Sequence, residues 1–323
     1  MSWPAKGAFT ISRSSLTLIP TVWVEIEQDG HKGRAECRPY ARYGDTVQTV
    51  MTAIEQIRPE IESGLTTVEL QKLIPPGPAR NAVDCALWDL KAKISGTSVR
   101  DLLGLPAPKP RLTAFTLSLQ SPLKMAEAAL AAKTYPVLKV KVDGPTAVNC
   151  VRAVLNARPE ASLIIDANEG LDRKQVDTLC EHVPKNSILM FEQPVSSNLT
   201  LSRPFETDPI ICADESLHSS QDITKADLEK LRAQGYRALN IKLDKCGGLT
   251  AALNLMRLAK EMEFQIMAGC MVGSSLAMAP MLILESFADI LDLDGPLLLA
   301  EDCENGLRYE GPKVYPPASK LWG

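Results

Sequence analysis

The chain has 323 residues, of which 45% are hydrophobic and 23% charged, and its formal net charge is −4 at pH 7. No run of basic residues could follow a phosphate backbone, so the composition argues against nucleic acid as a partner. Charges interrupt the apolar stretches before the roughly 18 residues that a membrane helix needs, and the opening segment MSWPAKGAFT lacks the charged start and apolar run of an export signal. We therefore expect neither a membrane span nor export.

The eight cysteines are scattered singly along the chain. They form no C-x-x-C pair and no Cys/His spacing of the kind that holds a metal. This pattern predicts buried thiols in a protein of the reducing cytoplasm.

The first 110 residues have the pattern of an α+β domain. Residues 22–27 (VWVEIE) alternate like a half-buried strand, a turn is predicted at Asp29 and Gly30, and residues 34–37 are the candidate hairpin partner. Helical spacing of apolar residues follows in three segments, at 46–61, 79–93 and 99–103.

A repeat begins at residue 111. Short apolar runs recur at intervals of 22 to 28 residues, ending at positions 116, 141, 166, 192, 214, 242, 270 and 292. Amphipathic stretches of helical length separate most of them, at 122–133, 147–157, 220–234 and 250–261. Eight alternating strands and helices close into a parallel β/α barrel. We therefore predict an α/β fold, with the barrel over residues 111–301, no helix at 196–208, and the tail 302–323 returning to the first domain.

Three successive predicted strands end in acids: Asp166, Glu192 and Asp214. The active sites of such barrels lie at the C-terminal ends of the strands, so these side chains should meet there. Each acid by itself could cap a helix or pair with a lysine. Three close carboxylates, however, repel one another unless a cation lies between them, and Mg²⁺ prefers oxygen ligands. We therefore predict that the three acids bind Mg²⁺.

Two lysines share one face of the second predicted strand. Lys139 and Lys141 alternate with apolar residues in VLKVKV, so both point into the barrel if the apolar set faces the helices. Lys242 ends the sixth strand, across the barrel from the second. A metal and a second ammonium disfavour the charged form of a lysine, which brings its pKa toward a working pH. The alternative is a solvated Lys-x-Lys on an edge strand.

A metal flanked by two amines predicts chemistry at a carbon acid. A proton α to a carboxylate is too weakly acidic for a lysine alone, but a metal on the carboxylate oxygens stabilises the enediolate that forms. With a base on either face, the proton can leave from one side and return on the other. The hypothesis is therefore racemisation or epimerisation.

Six motifs carry a resemblance to a known family: KVKVD, IIDAN, FEQP, ADES, NIKLDKCGG and AVDCALWDLKAK. Together they resemble the enolase superfamily, specifically its muconate-lactonizing subgroup, over nearly the whole chain. The resemblance implies a modified TIM barrel, (β/α)7β, with an N-terminal α+β capping domain whose loops close the site. It also implies that Asp166, Glu192 and Asp214 bind Mg²⁺, that Lys141 and Lys242 act on opposite faces, and that Lys139 supports the substrate carboxylate.

The end of strand eight, DLDGP, narrows the predicted substrate. Alternation puts Asp292 and Asp294 on one face of the barrel mouth, where two carboxylates suit an ammonium, although Asp-x-Asp by itself is common in solvated loops. After this repeat, the pair resembles the signature of dipeptide epimerases, and the L-Ala-D/L-Glu epimerases most closely. These enzymes invert the C-terminal residue of a dipeptide from murein peptide turnover. Arg13, in the loop ISRSS, is the candidate partner of the glutamate side chain, and Thr116 is a further candidate for substrate binding.

Several alternatives stay open. Cycloisomerases and o-succinylbenzoate synthases of the superfamily share both lysines, but their substrates lack an ammonium. A non-catalytic, metal-dependent binding protein would need no second base. Sugar-acid dehydratases and mandelate-type racemases are disfavoured, since none of the three histidines ends strand six or seven. The capping loop lies so close to residue 1 that the family's first strand is expected to be shortened or missing. The sequence predicts no oligomeric state.

Overall fold

The computed structural model describes residues 1–199 and 209–323. Two antiparallel hairpins open the chain, formed by β1 (Ser2–Ile11) with β2 (Ser14–Pro20) and by β3 (Val22–Gln28) with β4 (His31–Cys37). The first strand is therefore not missing, since β1 has ten residues and pairs with β2. Its expected shortening relative to the family stays a prediction.

Helices complete the N-terminal part: α1 (Val47–Gln56), α2 (Arg58–Glu62), α3 (Thr67–Leu73), α4 (Pro78–Ser95) and α5 (Val99–Leu102). Local signals set their ends. Thr46 and Thr49 form a capping box at the start of α1. Pro59, in the first turn of α2, has no N–H to continue α1, so the helix predicted over 46–61 is divided at Ile57. Gly96 ends α4 in the left-handed conformation.

An eight-stranded parallel sheet forms the rest of the core. Its strands are β6 (Phe115–Leu117), β7 (Val137–Lys141), β8 (Ser162–Asp166), β9 (Ile188–Glu192), β10 (Ile210–Ala213), β11 (Tyr236–Lys242), β12 (Gln265–Gly269) and β13 (Ile290–Asp292), after the short strand β5 (Arg111–Leu112). They pair in chain order, and the Ala114 N–H donates to the Leu291 carbonyl at 2.8 Å, which joins the first and last strands. The predicted barrel is confirmed.

Helices lie between the strands: α6 (Pro122–Ala131), α7 (Ala147–Ala157), α8 (Arg173–His182), α9 (Lys225–Ala233), α10 (Leu243–Cys246), α11 (Leu249–Glu261) and α12 (Ser275–Leu282). The segment 196–208, for which no helix was predicted, lies mostly outside the described residues. Within the described ranges, none of the helices has the length and apolar character of a membrane span.

The tail contacts both parts of the chain. Strand β15 (Lys313–Val314) lies between β14 (Tyr309–Glu310) and β5. Further on, the Trp322 indole donates to the Cys85 carbonyl of α4 at 3.2 Å. The domain boundaries at residues 110 and 301 stay a prediction.

Strand alternation divides the barrel lumen into two layers. The lower layer is apolar and consists of Ala114, just before β6, and one residue from each of five strands: Ile164, Met190, Cys212, Ala238 and Met267. Two residues further along the chain from these six, five positions are charged or polar and the sixth is Gly269. Lys139 and Asp166 are buried in this upper layer. The leucines, valines and isoleucines between them pack outward against the helices. A polar layer therefore lies on an apolar floor at the C-terminal ends of the strands.

Candidate active site

The three predicted metal-binding acids lie in this polar layer. Asp166 ends β8, Glu192 ends β9, and Asp214 follows β10 directly, and all three are buried. Because the strands pair side by side, with Asp166 opposite Glu192 in the register, the carboxylates occupy neighbouring positions.

Lys139 lies where the acids converge. Its Nζ is 2.7 Å from Asp292 Oδ2, 2.8 Å from Glu192 Oε2 and 3.1 Å from Asp166 Oδ2, and the side chain is 3% exposed. Burying an ammonium is costly unless it is paired, and here three carboxylates compensate the charge. The strand of Lys139 lies between β6 and β8, so the alternative of an edge strand is wrong.

Lys141 and Lys242 lie on opposite sides of the layer. Lys141 Nζ is 2.6 Å from Asp166 Oδ2 and 3.0 Å from Asn168 Oδ1. Lys242 Nζ is 2.9 Å from Asp214 Oδ2. Their strands, β7 and β11, are separated by three others in a sheet of eight, which is half of the barrel circumference. Both lysines line one cavity that is partly open to solvent.

Three further polar residues of the layer were not predicted from the sequence. Lys245 donates to the carboxylate and the backbone carbonyl of Asp214. Asn240 Nδ2 donates to Glu192 Oε1 at 2.6 Å, and the Asn168 N–H donates to Asp166 Oδ1 at 3.0 Å. Asn240 lies two residues before Lys242 on β11, so strand alternation could have indicated it. Each of the three residues orients one acid.

Burial and close charges shift the pKa values of the acids in opposite directions. Burial, together with the charge of Asp166, raises the pKa of Glu192 to about 8. Burial also acts to raise the pKa of Asp166 and of Asp214, but the neighbouring lysines outweigh it and hold both values below the ordinary range. Glu192 is therefore the acid that most needs a cation in order to ionise.

Carboxylates dominate the pKa of Lys242 in this arrangement of side chains. Burial acts to lower it, but Asp214 and the other carboxylates act more strongly and raise it well above its ordinary value. The lowered pKa expected for a lysine beside a metal stays a prediction.

The donor chemistry of the three acids fits a hard divalent cation. All the donors are carboxylate oxygens, and Glu192 Oε2 is buried without a hydrogen bond, although Lys139 Nζ lies nearby. As the side chains stand, no group of three or more His, Cys, Asp or Glu in the described ranges is arranged to hold a metal ion. The carboxylates are instead engaged in ion pairs with lysines.

Asp292 and Asp294 face the same cavity. The Thr116 backbone N–H donates to Asp294 Oδ2 at 2.6 Å, so the predicted substrate-binding residue Thr116 positions this acid. Burial and the charge of Asp292 raise the pKa of Asp294 to about 7. Asp292 gives one oxygen to Lys139, and its Oδ1 is buried with no hydrogen-bond partner. An acceptor is thus left for a ligand.

Arg13 lies in the turn between β1 and β2, above the barrel mouth. Its guanidinium is 2.8 Å from Glu169 Oε2 and 2.6 Å from Glu215 Oε1, and it also donates to the Asn168 carbonyl. Arg13 therefore fastens the first hairpin to the loops after β8 and β10. Its predicted contact with a substrate carboxylate stays a prediction.

Family models match most of the chain. Residues 1–104 match the N-terminal domain of the mandelate racemase / muconate lactonizing enzyme family, and residues 123–317 match the enolase C-terminal domain-like model. The L-Ala-D/L-Glu epimerase of Escherichia coli K12 is 40% identical over 95% of this chain and 95% of its own length. The N-acetyl-D-glutamate racemase of a Pseudoalteromonas species is 41% identical over 90% of this chain and 91% of its own length.

Solved structures are also similar to this chain over nearly its whole length. An enolase family member from Agrobacterium tumefaciens, described as homologous to dipeptide epimerases and containing sodium and L-Ala-L-Glu, is 42% identical. It covers 100% of this chain and 98% of its own, with a TM-score of 0.92. A dipeptide epimerase from Cytophaga hutchinsonii, complexed with Mg and D-Ala-L-Val, is 26% identical, with a TM-score of 0.85 over 98% of this chain and 91% of its own.

Proposed function

This chain belongs to the mandelate racemase / muconate lactonizing enzyme family of the enolase superfamily, and we propose that it epimerises dipeptides at the α-carbon of the C-terminal residue, with L-Ala-D/L-Glu as the preferred pair. It is an isomerase that acts on amino-acid residues, as its curated relatives are. The observation that carries the proposal is the pair Lys141 and Lys242, which line one cavity from opposite sides of the barrel.

In the proposed reaction the two lysines exchange roles with the direction of turnover. Lys141 Nζ removes the α-proton from one epimer while Lys242 Nζ donates a proton from the other face, and the reverse reaction exchanges these tasks. The α-carbon becomes planar when its proton leaves, so return from the opposite face inverts it. Both amines are held by buried carboxylates, which fixes their positions before the substrate arrives.

The acids and Lys139 complete the binding of the substrate carboxylate. We propose that Asp166, Glu192 and Asp214 hold Mg²⁺, and that Lys139 faces the substrate carboxylate from the same layer. When bound, a divalent cation supplies positive charge for the substrate carboxylate and competes with the lysines for the acids that now raise the Lys242 pKa. The magnesium-bound relative supports this assignment.

Asp292 and Asp294 bind the ammonium of the dipeptide in this proposal. The free Asp292 Oδ1 supplies a charge-assisted acceptor, and Asp294 is oriented by Thr116. Cycloisomerases and o-succinylbenzoate synthases stay disfavoured, since their substrates have no ammonium to fill this position. A substrate from murein peptide turnover and a cytoplasmic location are further proposals, the second supported by eight cysteines that are all free.

The test is solvent exchange in D₂O with Mg²⁺ and L-Ala-L-Glu. We expect deuterium at the glutamate α-carbon and a mixture of epimers in the wild type. Lys141→Ala and Lys242→Ala should each abolish epimerisation, while each keeps exchange of the one epimer whose proton faces the remaining lysine. Lys260→Ala, which removes a surface ion pair with Asp289, is the matched control. Absence of exchange across a dipeptide panel would remove the epimerase proposal, and unchanged epimerisation by Lys242→Ala would remove the second base.

A second candidate function is racemisation of N-acylated amino acids. The relative named N-acetyl-D-glutamate racemase is as similar as the dipeptide epimerase, and the same pair of lysines would serve its substrate. An N-acetyl group carries no ammonium, so the pair Asp292 and Asp294 favours the dipeptide. Measuring N-acetyl-D-glutamate beside L-Ala-L-Glu in the same assay decides between the two functions.

A further inference from the structure

Arg38 is a buried cation in the roof of the cavity, and among the described residues it forms no ion pair. It follows β4 directly, lines the cavity, and is 6% exposed. Its Nε has no hydrogen-bond partner. The carboxylate of Asp244 acts on its charge through space only, and the centroid of the Tyr40 ring lies 5.7 Å from its guanidinium carbon. Burying an unpaired guanidinium is costly, so this residue needs an explanation.

The other cations of the site are all paired. Lys139, Lys141 and Lys242 each contact at least one buried acid. Arg13 is held by Glu169 and Glu215. Among the described residues that line the cavity, Arg38 is therefore the cationic side chain without a contact ion pair, and a ligand carboxylate can supply one.

The backbone of Arg38 is fixed even though its side chain is unpaired. Its N–H donates to Asp244 Oδ1 at 3.0 Å, and Asn81 Nδ2 donates to the same oxygen at 2.8 Å. Asp244 lies in α10, directly after β11, the strand of Lys242, whereas Asp292 ends β13, two strands further along. The backbone of Arg38 is thus anchored to the helix that follows the strand of Lys242, two strands away from the one that ends in Asp292.

The geometry of the proposed reaction leaves one direction open for the substrate side chain. With a lysine above and below the planar α-carbon, its three substituents point to the polar layer, to the Asp292 side and to a third direction. The first two take the carboxylate and the N-terminal residue, so the third takes the side chain, toward the capping domain that carries Arg38. Ile11 and Leu16 of the same lining can cover methylene groups.

Resting on the proposed function, we propose that Arg38 selects substrates in which the epimerised residue has an acidic side chain. A planar guanidinium binds a carboxylate through two parallel hydrogen bonds, which an amide of the same shape cannot replace. Arg38, and not Arg13, is then the residue that distinguishes glutamate from glutamine at this position.

The test compares kcat/KM for L-Ala-L-Glu, for its neutral isostere L-Ala-L-Gln, and for L-Glu-L-Ala, whose acid lies on the other residue. In Arg38→Met we expect kcat/KM for L-Ala-L-Glu to fall about 10- to 100-fold, while that for L-Ala-L-Gln changes less than about 3-fold. Arg38→Lys keeps the positive charge but loses the planar guanidinium. Its kcat/KM for L-Ala-L-Glu should lie between those of the wild type and Arg38→Met. Arg58→Met, which removes an exposed arginine of the same domain, is the control. It should change kcat/KM for neither L-Ala-L-Glu nor L-Ala-L-Gln.

Three results would overturn the assignment. One is an equal loss on the acidic and neutral dipeptides, which would indicate a structural role. Another is a loss confined to L-Glu-L-Ala, which would place the guanidinium at the N-terminal residue. The third is an acid-specific loss in Arg13→Met with none in Arg38→Met.

A binding measurement separates this inference from the proposed function. If the wild type turns over no dipeptide, the proposed function fails, and thermal stabilisation by N-acetyl-L-glutamate against N-acetyl-L-glutamine still tests Arg38. We expect N-acetyl-L-glutamate to stabilise the wild type and N-acetyl-L-glutamine not to. Arg38→Met should lose the stabilisation by N-acetyl-L-glutamate. Equal stabilisation of variant and wild type overturns the inference. Since the substitution removes a buried unpaired charge, the unliganded variant should unfold at no lower temperature than wild type.

Discussion

Asp292 divides its two carboxylate oxygens between the protein and the cavity. Oδ2 accepts from Lys139 at 2.7 Å, and Oδ1 is buried without a partner. An unsatisfied buried acceptor is costly, and in a site it indicates where a ligand donor belongs. The residue thus links the fixed charge layer to the substrate.

Replacing Asp292 with Asn should weaken the binding of dipeptides. The variant loses a charge-assisted bond to the ammonium, so we expect KM for L-Ala-L-Glu to rise about 10- to 100-fold. N-acetyl-L-glutamate lacks the ammonium, so its affinity, measured as competitive inhibition, should change much less. An equal loss for both molecules would contradict the role of Asp292 as the ammonium site.

At the level of elements, strand β4 packs closely against α4, the long helix of the same capping domain. Gly33 lies on β4 where the strand crosses α4, and a Cβ added there would lie 2.1 Å from the Ala86 carbonyl oxygen and 2.5 Å from the Leu90 nitrogen. Both neighbours are helix backbone, which cannot move aside as a flexible side chain can. Glycine is required by this close approach.

Gly33→Ala should therefore destabilise the protein by about 1–3 kcal/mol or more, because strand and helix must separate to admit the methyl group. Urea unfolding measures the change. Lys32→Ala, at the neighbouring exposed position, is the control and should stay within about 0.5 kcal/mol. Since β4 leads into Arg38, Gly33→Ala should also lower the preference for acidic substrates. Unchanged stability would contradict the packing described here.

At the scale of the whole molecule, three buried acids join the capping domain to the barrel. Glu36 of β4 accepts from Ser274 after β12, Asp84 of α4 accepts from Thr250 of α11, and Asp244 after β11 accepts from Arg38. Burial is the main reason that the pKa of each is raised to about 6. The interface is therefore most stable when these groups are protonated.

The sign of the pH dependence follows from these raised values. Between pH 4 and pH 6 the folded state binds more protons at these acids than the unfolded state, so their contribution to the free energy of unfolding falls as pH rises. Asp84→Asn removes one such group. The stability of the variant relative to wild type should increase by about 1–3 kcal/mol from pH 4 to pH 6 and then level off. Urea unfolding of both proteins between pH 4 and pH 6 measures this change. A difference in the free energy of unfolding that stays constant with pH would contradict a raised pKa at Asp84.

Much of the molecule follows from local pattern. Side chains in a strand alternate between two faces, so Lys139, Lys141 and the acids could be placed in the lumen from their spacing alone. Capping residues such as Thr224 and Gly96 set helix ends to within a few residues; Thr224 begins α9 later than the predicted residue 220. The division of α1 from α2 was missed, although Pro59 signals it.

The sequence by itself determined the barrel, its charged layer and the family, because each depends on periods and motifs within single elements. Only the tertiary structure decided which charges pair. Lys245 orients Asp214 from 31 residues away, and Arg13 reaches Glu215 across 202. Within the described residues Arg38 forms no ion pair, whereas acids of the site pair with lysines or with Arg13. Pairing depends on distances between residues far apart in the chain, and no local pattern records those distances.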